Sequence, residues 1–393
     1  MADDHSLFTK LRRALTLDGL KRTPIRFYIA VVFFLYLALG PYAGQMDVLG
    51  MLQWTAAFFF VMFVISWDFV AGYTGQVSFG HTLFFAAGGY TTTILNLEFG
   101  LDPILGVLAG ILVASVAGLF YAIPSLRLEG HYLALFTLLP PIILLRVFRM
   151  FRDITGGEKG LPDPDPLIDA GSFAGNARVN FYLALGLLVF VFGLTWIITR
   201  SDTGTIFTAI DESEDAVQSA GINPAKFKVY AMTLSAALGG LAGAVFVHTP
   251  AGSASPSQLL ELTVMIEILL ASIVGGFGTI TGAVVGGFLI YWGTDWFRTA
   301  EYVLPGLDIP ISQIDLLLFF TVLLLVLYFL AEGIVPWSYR QGGRIMDRVR
   351  GGDSSAMTDG GRSGLRQRAA DGESRHTERP EEDDTDTADR RNQ

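Results

Sequence analysis

The sequence predicts an all-α polytopic membrane protein with eight to ten transmembrane helices, some of them broken or re-entrant. Two observations carry that expectation. Hydrophobic residues make up 51% of the 393 residues and the mean hydropathy is +0.48. They fall in blocks, several of them longer than the ~18 residues that mark a membrane-crossing helix. Gly is also frequent inside these blocks, as is usual for membrane helices.

Taken in order, spans are expected near 27–43, 48–70, 82–97, 103–124, 131–148, 181–199, 229–250, 259–276, 283–297 and 312–335. Those at 82–97 and 283–297 fall below the ~17 residues needed to cross unaided, so they read as tilted, broken or re-entrant. The N-terminal region is charged and has no cleavage-site pattern after the first apolar block, so no signal peptide is expected. Lys10, Arg12, Arg13, Lys21, Arg22 and Arg26 precede the first span, and Arg340, Arg344, Arg348 and Arg350 follow the last. By the bias of basic residues toward the inner loops, both termini are expected in the cytoplasm of a cell with this protein in its plasma membrane. Arg146, Arg149 and Arg152 argue against that count, because they flank a loop it places outside. The expected organisation is a cytoplasmic segment 1–26, a transmembrane domain 27–337 with a cytoplasmic loop 200–228, and a cytoplasmic tail 338–393. The tail is almost devoid of apolar residues and is expected to be disordered.

The formal net charge is −10, and only five of the 27 basic residues are Lys. That bias fits either a prokaryotic, salt-adapted (halophile) cell or a GC-rich genome favouring Arg codons. The absence of Cys excludes disulfides, thiolate metal sites and Cys nucleophiles. No phosphate-binding loop is present, the His residues show no metal-ligand spacing, and no nucleophile elbow occurs. The chain is therefore expected to be no enzyme, with no metal or cofactor and no nucleic-acid partner.

Within the apolar region the stretch "AGYTGQVSFGH", residues 71–81, stands out. Irregular backbone at membrane depth is tolerated only where it is buried in protein or lines a watery cavity. The stretch thus reads either as an ordinary polar loop or as a break on a substrate path, with Thr74, Gln76, Ser78 and His81 supplying polar groups. Asp68 and Glu267 are carboxylates within spans, costly at ~2.5–3.5 kcal/mol on insertion scales. Glu267 has apolar residues on both sides and reads as interior; Asp68 reads either as interior or as snorkelling to the interface. A second Gly cluster, "IVGGFGTITGAVVGG", and the pairs Gly282/Gly286 and Gly239/Gly243 have the spacing of close helix contacts.

The segment "SDTGTIFTAIDESEDAVQSAGINPAKFKV", 201–229, reads as a short amphipathic helix between two spans. Asp202 or Thr203 can cap it, Asp211 and Glu212 lie in its middle, and Gly221 with Asn223-Pro224 ends it. Ile206, Ile210, Val217 and Ala220 form an apolar stripe, with Ser213 its weak step. A helix this short is marginal alone. Its acidic face disfavours anionic lipid, so the stripe is expected to need a protein partner.

Five segments in order carry a resemblance: "SWDFVAGYTGQVSFGHTLFFAAGGYTT", "LRLEGHYLALFTL", "ITGGEKGL", "AGINPAKFKVYAMTLSAALGGLAGAVF" and "IEILLASIVGGFGTITGAVVGG". Together they resemble the branched-chain amino acid permease family of ABC importers, most closely its M-type membrane subunit. The resemblance implies a second homologous permease subunit, two cytoplasmic ATPase subunits and an extracytoplasmic substrate-binding protein, all within membrane lipid. It also implies that residues 208–221 form the helix that docks on the ATPase, with Glu212, Ala216 and Gly221 at matching places. Three features depart from the pattern. Asp68 stands where the family more often has Asn, Glu158-Lys159 where it favours small and acidic residues, and Pro140-Pro141 is expected to kink or break its span. Urea and short-amide importers share this permease type. An ion-coupled secondary transporter using Asp68 and Glu267 is the reading from a different class.

Overall fold

In the computed structural model, residues 36–37, 39–41, 46–128, 130–299, 314–329, 333–338 and 340 are described. The expected cytoplasmic segment 1–26, most of the first span and nearly all of the tail lie outside them. The described residues of the unit ending at Pro336 are helical, with no strand among them. Among the described residues six helices are long and apolar enough to cross a membrane, so the chain is an all-α, multi-pass membrane protein.

The central helix is α1 (Val48–Thr74), whose 27 residues give about 40 Å of axis. Asp47 caps its start by accepting from the Gly50 amide at 2.8 Å. Gly75, at φ +68°, ends it in the left-handed region that Gly adopts without strain. Helix α2 (Thr82–Phe99) follows the break, then α3 (Pro103–Ser125) and α4 (Gly130–Met150). After the single turn α5 (Arg152–Thr155) come α6 (Phe173–Thr199), α7 (Asp202–Glu212), α8 (Glu214–Ser219) and α9 (Pro224–Phe246). A short turn α10 (Pro256–Leu259) leads to α11 (Leu262–Gly276), α12 (Ile280–Thr299) and α13 (Asp315–Phe329).

Helix α9 packs on α1, α2 and α3, while α1 also packs on α6, α11 and α12. Small residues permit the closest approaches. A Cβ on Gly88 of α2 would strike the Gly240 backbone of α9, and Gly240 faces Ala114 of α3. Gly286 and Gly282 face Ala271 and Gly275 in the α11–α12 hairpin, which accounts for that part of the second Gly cluster. Around these contacts sits an aromatic-rich core including Phe58, Phe59, Phe63, Trp67 and Phe181.

Two expectations are corrected here. Of the kink or break expected at Pro140-Pro141, the break does not occur, because α4 runs unbroken from Gly130 to Met150. Pro141 lacks the amide that would serve the Thr137 carbonyl one turn earlier, and the Tyr121 hydroxyl of α3 donates to that carbonyl instead. The amphipathic segment is also two helices, not one. Ser213 (φ −164°, ψ 104°) interrupts it and caps α8 by accepting from the Ala216 amide. The expected stop at its end is present: Gly221 has φ +84°, and Asn223 caps α9 with Pro224 in its first turn.

Candidate functional site

The break 75–81 sits at the same end of the bundle as α7 and α8. A Cβ on Gly75 would meet the Asp211 carboxylate at 2.5 Å. The Gln76 amide donates to Thr74 Oγ1 at 2.8 Å and to the Lys228 carbonyl at 3.3 Å, and Lys228 forms an ion pair with Glu214 of α8. Thr74 itself donates back to the Val70 carbonyl. Phe207 is fully buried between Phe69, Phe227 and Tyr230. Ile210 and Val217 are buried as well, while Asp211, Glu212, Ala216, Ala220 and Gly221 are exposed and Ile206 is half-buried. Of the stripe, Ile210 and Val217 are therefore covered by the chain's own residues, Ile206 in part, and Ala220 is open. The two covered residues need no outside partner, and the surface left open beside Ala220 is largely polar and acidic.

Ser78 and Gly80 hold the other half of the break. The Trp67 indole donates to the Ser78 carbonyl at 2.7 Å, and the Phe79 amide donates to Thr137 Oγ1 at 3.0 Å. Tyr121 and Thr137 leave no room for a Cβ on Gly80. Asp68 lies inside the bundle and does not snorkel. Its Oδ1 accepts from Ser272 and from the Gly278 amide, fastening α1 to the turn between α11 and α12.

His81 is fully buried, stacked on Phe63 at 5.4 Å. Ser66 and Ser235 spend their hydroxyl protons on the Phe63 and Ser66 carbonyls. Their lone pairs then face His81 Nε2, at 3.1 and 3.2 Å, so Nε2 carries the proton and donates to both.

Next to His81 the rings of Phe63, Phe85, Phe246 and Phe59 follow one another at 4.6, 5.7 and 5.7 Å, forming an aromatic layer. Beyond the layer lies a cavity of about 380 Å³. Its floor is those four rings with Phe60, and its walls carry Thr263, Glu267, Tyr291, Thr294, Asp295 and Arg298. Glu267 pairs with Arg298 Nη2 at 3.1 Å. About 28 Å of helix axis separates Ala56, in the cavity wall, from Gly75 at the break.

Of the residues expected on a path, Glu267 lines the cavity. Asp68, Thr74, Gln76, Ser78 and His81 lie below the aromatic layer, bonded within the protein. The four-ring layer, Asp295 and Arg298 were not anticipated. Asp295 and Arg298, charged and three apart at the end of the apolar block 283–297, were the available signal.

The sequence profile of the family described as "Branched-chain amino acid transport system / permease component" matches residues 51–329, most of the chain. The chain belongs to that family. Among curated proteins, this permease is 26% identical to the high-affinity branched-chain amino acid transport system permease protein LivM of Escherichia coli, over 73% of this chain and 70% of that protein. It is 24% identical to the probable branched-chain amino acid transport permease protein LivM of Methanocaldococcus jannaschii, over 74% and 94%. The probable LivH permease of that organism is 25% identical over 55% and 70%. No solved structure matches the permease.

Proposed function

We propose that this permease is the M-type membrane subunit of an ABC importer of branched-chain amino acids. It pairs with a second, homologous permease, two cytoplasmic ATPase subunits and an extracytoplasmic binding protein. The names of its relatives support the substrate class and the pairing of two permeases. The observation that carries the mechanism is the arrangement along α1: one half lines the cavity, and the other end is clamped to α7 and α8.

In this reading α7 and α8 face the ATPase from the cytoplasm, and the cavity opens toward the binding protein. The loop 153–180, at the cavity's end of the bundle, is a contact for that protein. Its Leu161 amide is bonded to the Ala254 carbonyl at 2.9 Å. Closure of the ATPases moves α7–α8, and the Lys228–Gln76 and Asp211–Gly75 contacts pass the motion to α1. The aromatic layer then parts, and solute passes His81, Ser78, Gln76, Thr74 and Asp68 as an inner gate. The acidic, Lys-poor composition supports a salt-adapted prokaryotic host.

The test is uptake of labelled leucine, isoleucine, valine and urea in a deletion strain complemented with this gene or with its Glu212→Lys variant. Loss of aliphatic amino acid uptake in the variant, with the complex still assembled, is expected. Normal uptake by the variant would sink the coupling role of α7, and uptake of urea alone would overturn the substrate.

A further inference from the structure

The cavity wall carries a charge pair whose two members come from different helices, Glu267 of α11 and Arg298 of α12. The Glu267 side chain is only 11% exposed, whereas that of Arg298 is 53% exposed. Asp295 lines the cavity one turn before Arg298, adding negative charge. The same cavity is lined by Phe59, Phe60, Phe63, Phe85 and Phe246, with the Phe60 ring 5.9 Å from that of Tyr291. The cavity's volume of about 380 Å³ falls within the ~300–1,000 Å³ typical of small-molecule sites.

We propose that the Glu267–Arg298 pair is a zwitterion clamp: an entering α-amino acid inserts between the two. Its ammonium binds Glu267 with Asp295 nearby, its carboxylate binds Arg298, and its aliphatic side chain lies on the phenylalanine wall. The inference rests on the reading of this permease as an amino acid importer and adds the residues that select the backbone of the solute.

Three physical points support it. A solute with one charge of each sign exchanges a protein ion pair for two ion pairs of the same kind, so the wall need not bury an uncompensated charge. A guanidinium suits a carboxylate because its planar fork can hold both oxygens. An uncharged solute such as urea has no charged group to replace either member of the pair, so separating them for it loses the ion pair with nothing of the same kind in return. The aromatic wall accepts a branched aliphatic chain by area burial, without specific bonding.

The clamp predicts discrimination by functional group, which equilibrium binding to the assembled transporter in nanodiscs, without binding protein, can read. The ligands are leucine, leucinamide (no carboxylate) and 4-methylpentanoate (no ammonium). Wild-type transporter is expected to bind leucine at least about tenfold more tightly than either analogue, the size of one lost charge-assisted bond. Glu267→Gln removes the preference over 4-methylpentanoate, and Arg298→Gln removes the preference over leucinamide. The swap Glu267→Arg with Arg298→Glu keeps an ion pair for folding and retains leucine binding within about tenfold of wild type, whereas each single variant falls further.

Leucine binding unchanged in both single variants overturns the clamp, as does tighter binding of leucinamide than of leucine by the wild type, which marks a cation site. Absence of leucine binding while cells still import leucine also overturns it and leaves the proposed function standing. Absence of amino acid import in cells overturns the function itself.

Discussion

The hydrogen bond from Tyr121 to the Thr137 carbonyl makes a quantitative prediction about how this bundle tolerates a double proline. Pro141 supplies no amide to that carbonyl, and a buried carbonyl with no partner costs about 1–3 kcal/mol. Tyr121→Phe deletes the one donor that reaches it and keeps the ring, which packs edge-on against Phe84 at 5.5 Å. The full loss is therefore expected within that range. A second substitution isolates the Thr137 contribution. Pro141→Ala restores a helical amide four residues after Thr137, so Tyr121→Phe in that background should cost about 1 kcal/mol less. The assay is unfolding of the purified chain by SDS titration in mixed micelles, followed by far-UV circular dichroism. An equal cost in both backgrounds would refute the reasoning, because it would mean that the freed carbonyl is served by some other group.

Three further outcomes follow from the same structure. Phe207→Ala removes a fully buried ring between α7 and the bundle, so the chain alone, without any ATPase, should lose about 3–5 kcal/mol of stability; no loss would show that the ring is not held by the chain's own helices. Gly72→Ala sets a Cβ 2.5 Å from the Gly278 backbone, and overpacking of about 1–3 kcal/mol should outweigh the ~1 kcal/mol gained in helix propensity, so a stabilised variant would count against the close approach. Partial burial, and then the charge of Glu212, push the Asp211 carboxyl above its ordinary value. The folded chain therefore binds that proton more tightly than the unfolded one. Ionised Asp211 subtracts a little stability at neutral pH, and the loss is recovered as pH falls through the raised value. Asp211→Asn should be slightly more stable than wild type at neutral pH and show less of this rise on acidification; an unchanged pH profile would remove the effect.

Much of this protein was legible in the sequence alone. The apolar blocks fixed an all-helical, multi-pass class, because a bilayer leaves the backbone no other partner for its polar groups. The Gly221 stop, the Asn223-Pro224 start and the interior place of Glu267 also followed from local chemistry. Tertiary structure decided the rest, because the deciding contacts join residues far apart in the chain. The stripe looked unpartnered, yet Ile210 and Val217 are buried within the chain, and Phe207 on the same helix as Ile210 is held by Phe69 and Phe227. The prolines of α4 looked like a break until Tyr121 of α3 reached Thr137. The polar residues of the 71–81 stretch read either as an ordinary loop or as a break on a substrate path, and none of them lines the described cavity. Its charge pair joins positions 267 and 298, and its floor joins rings from three helices. Periodicity reports which face of a helix is apolar; only the packed bundle decides whether that face meets lipid, another protein or its own chain.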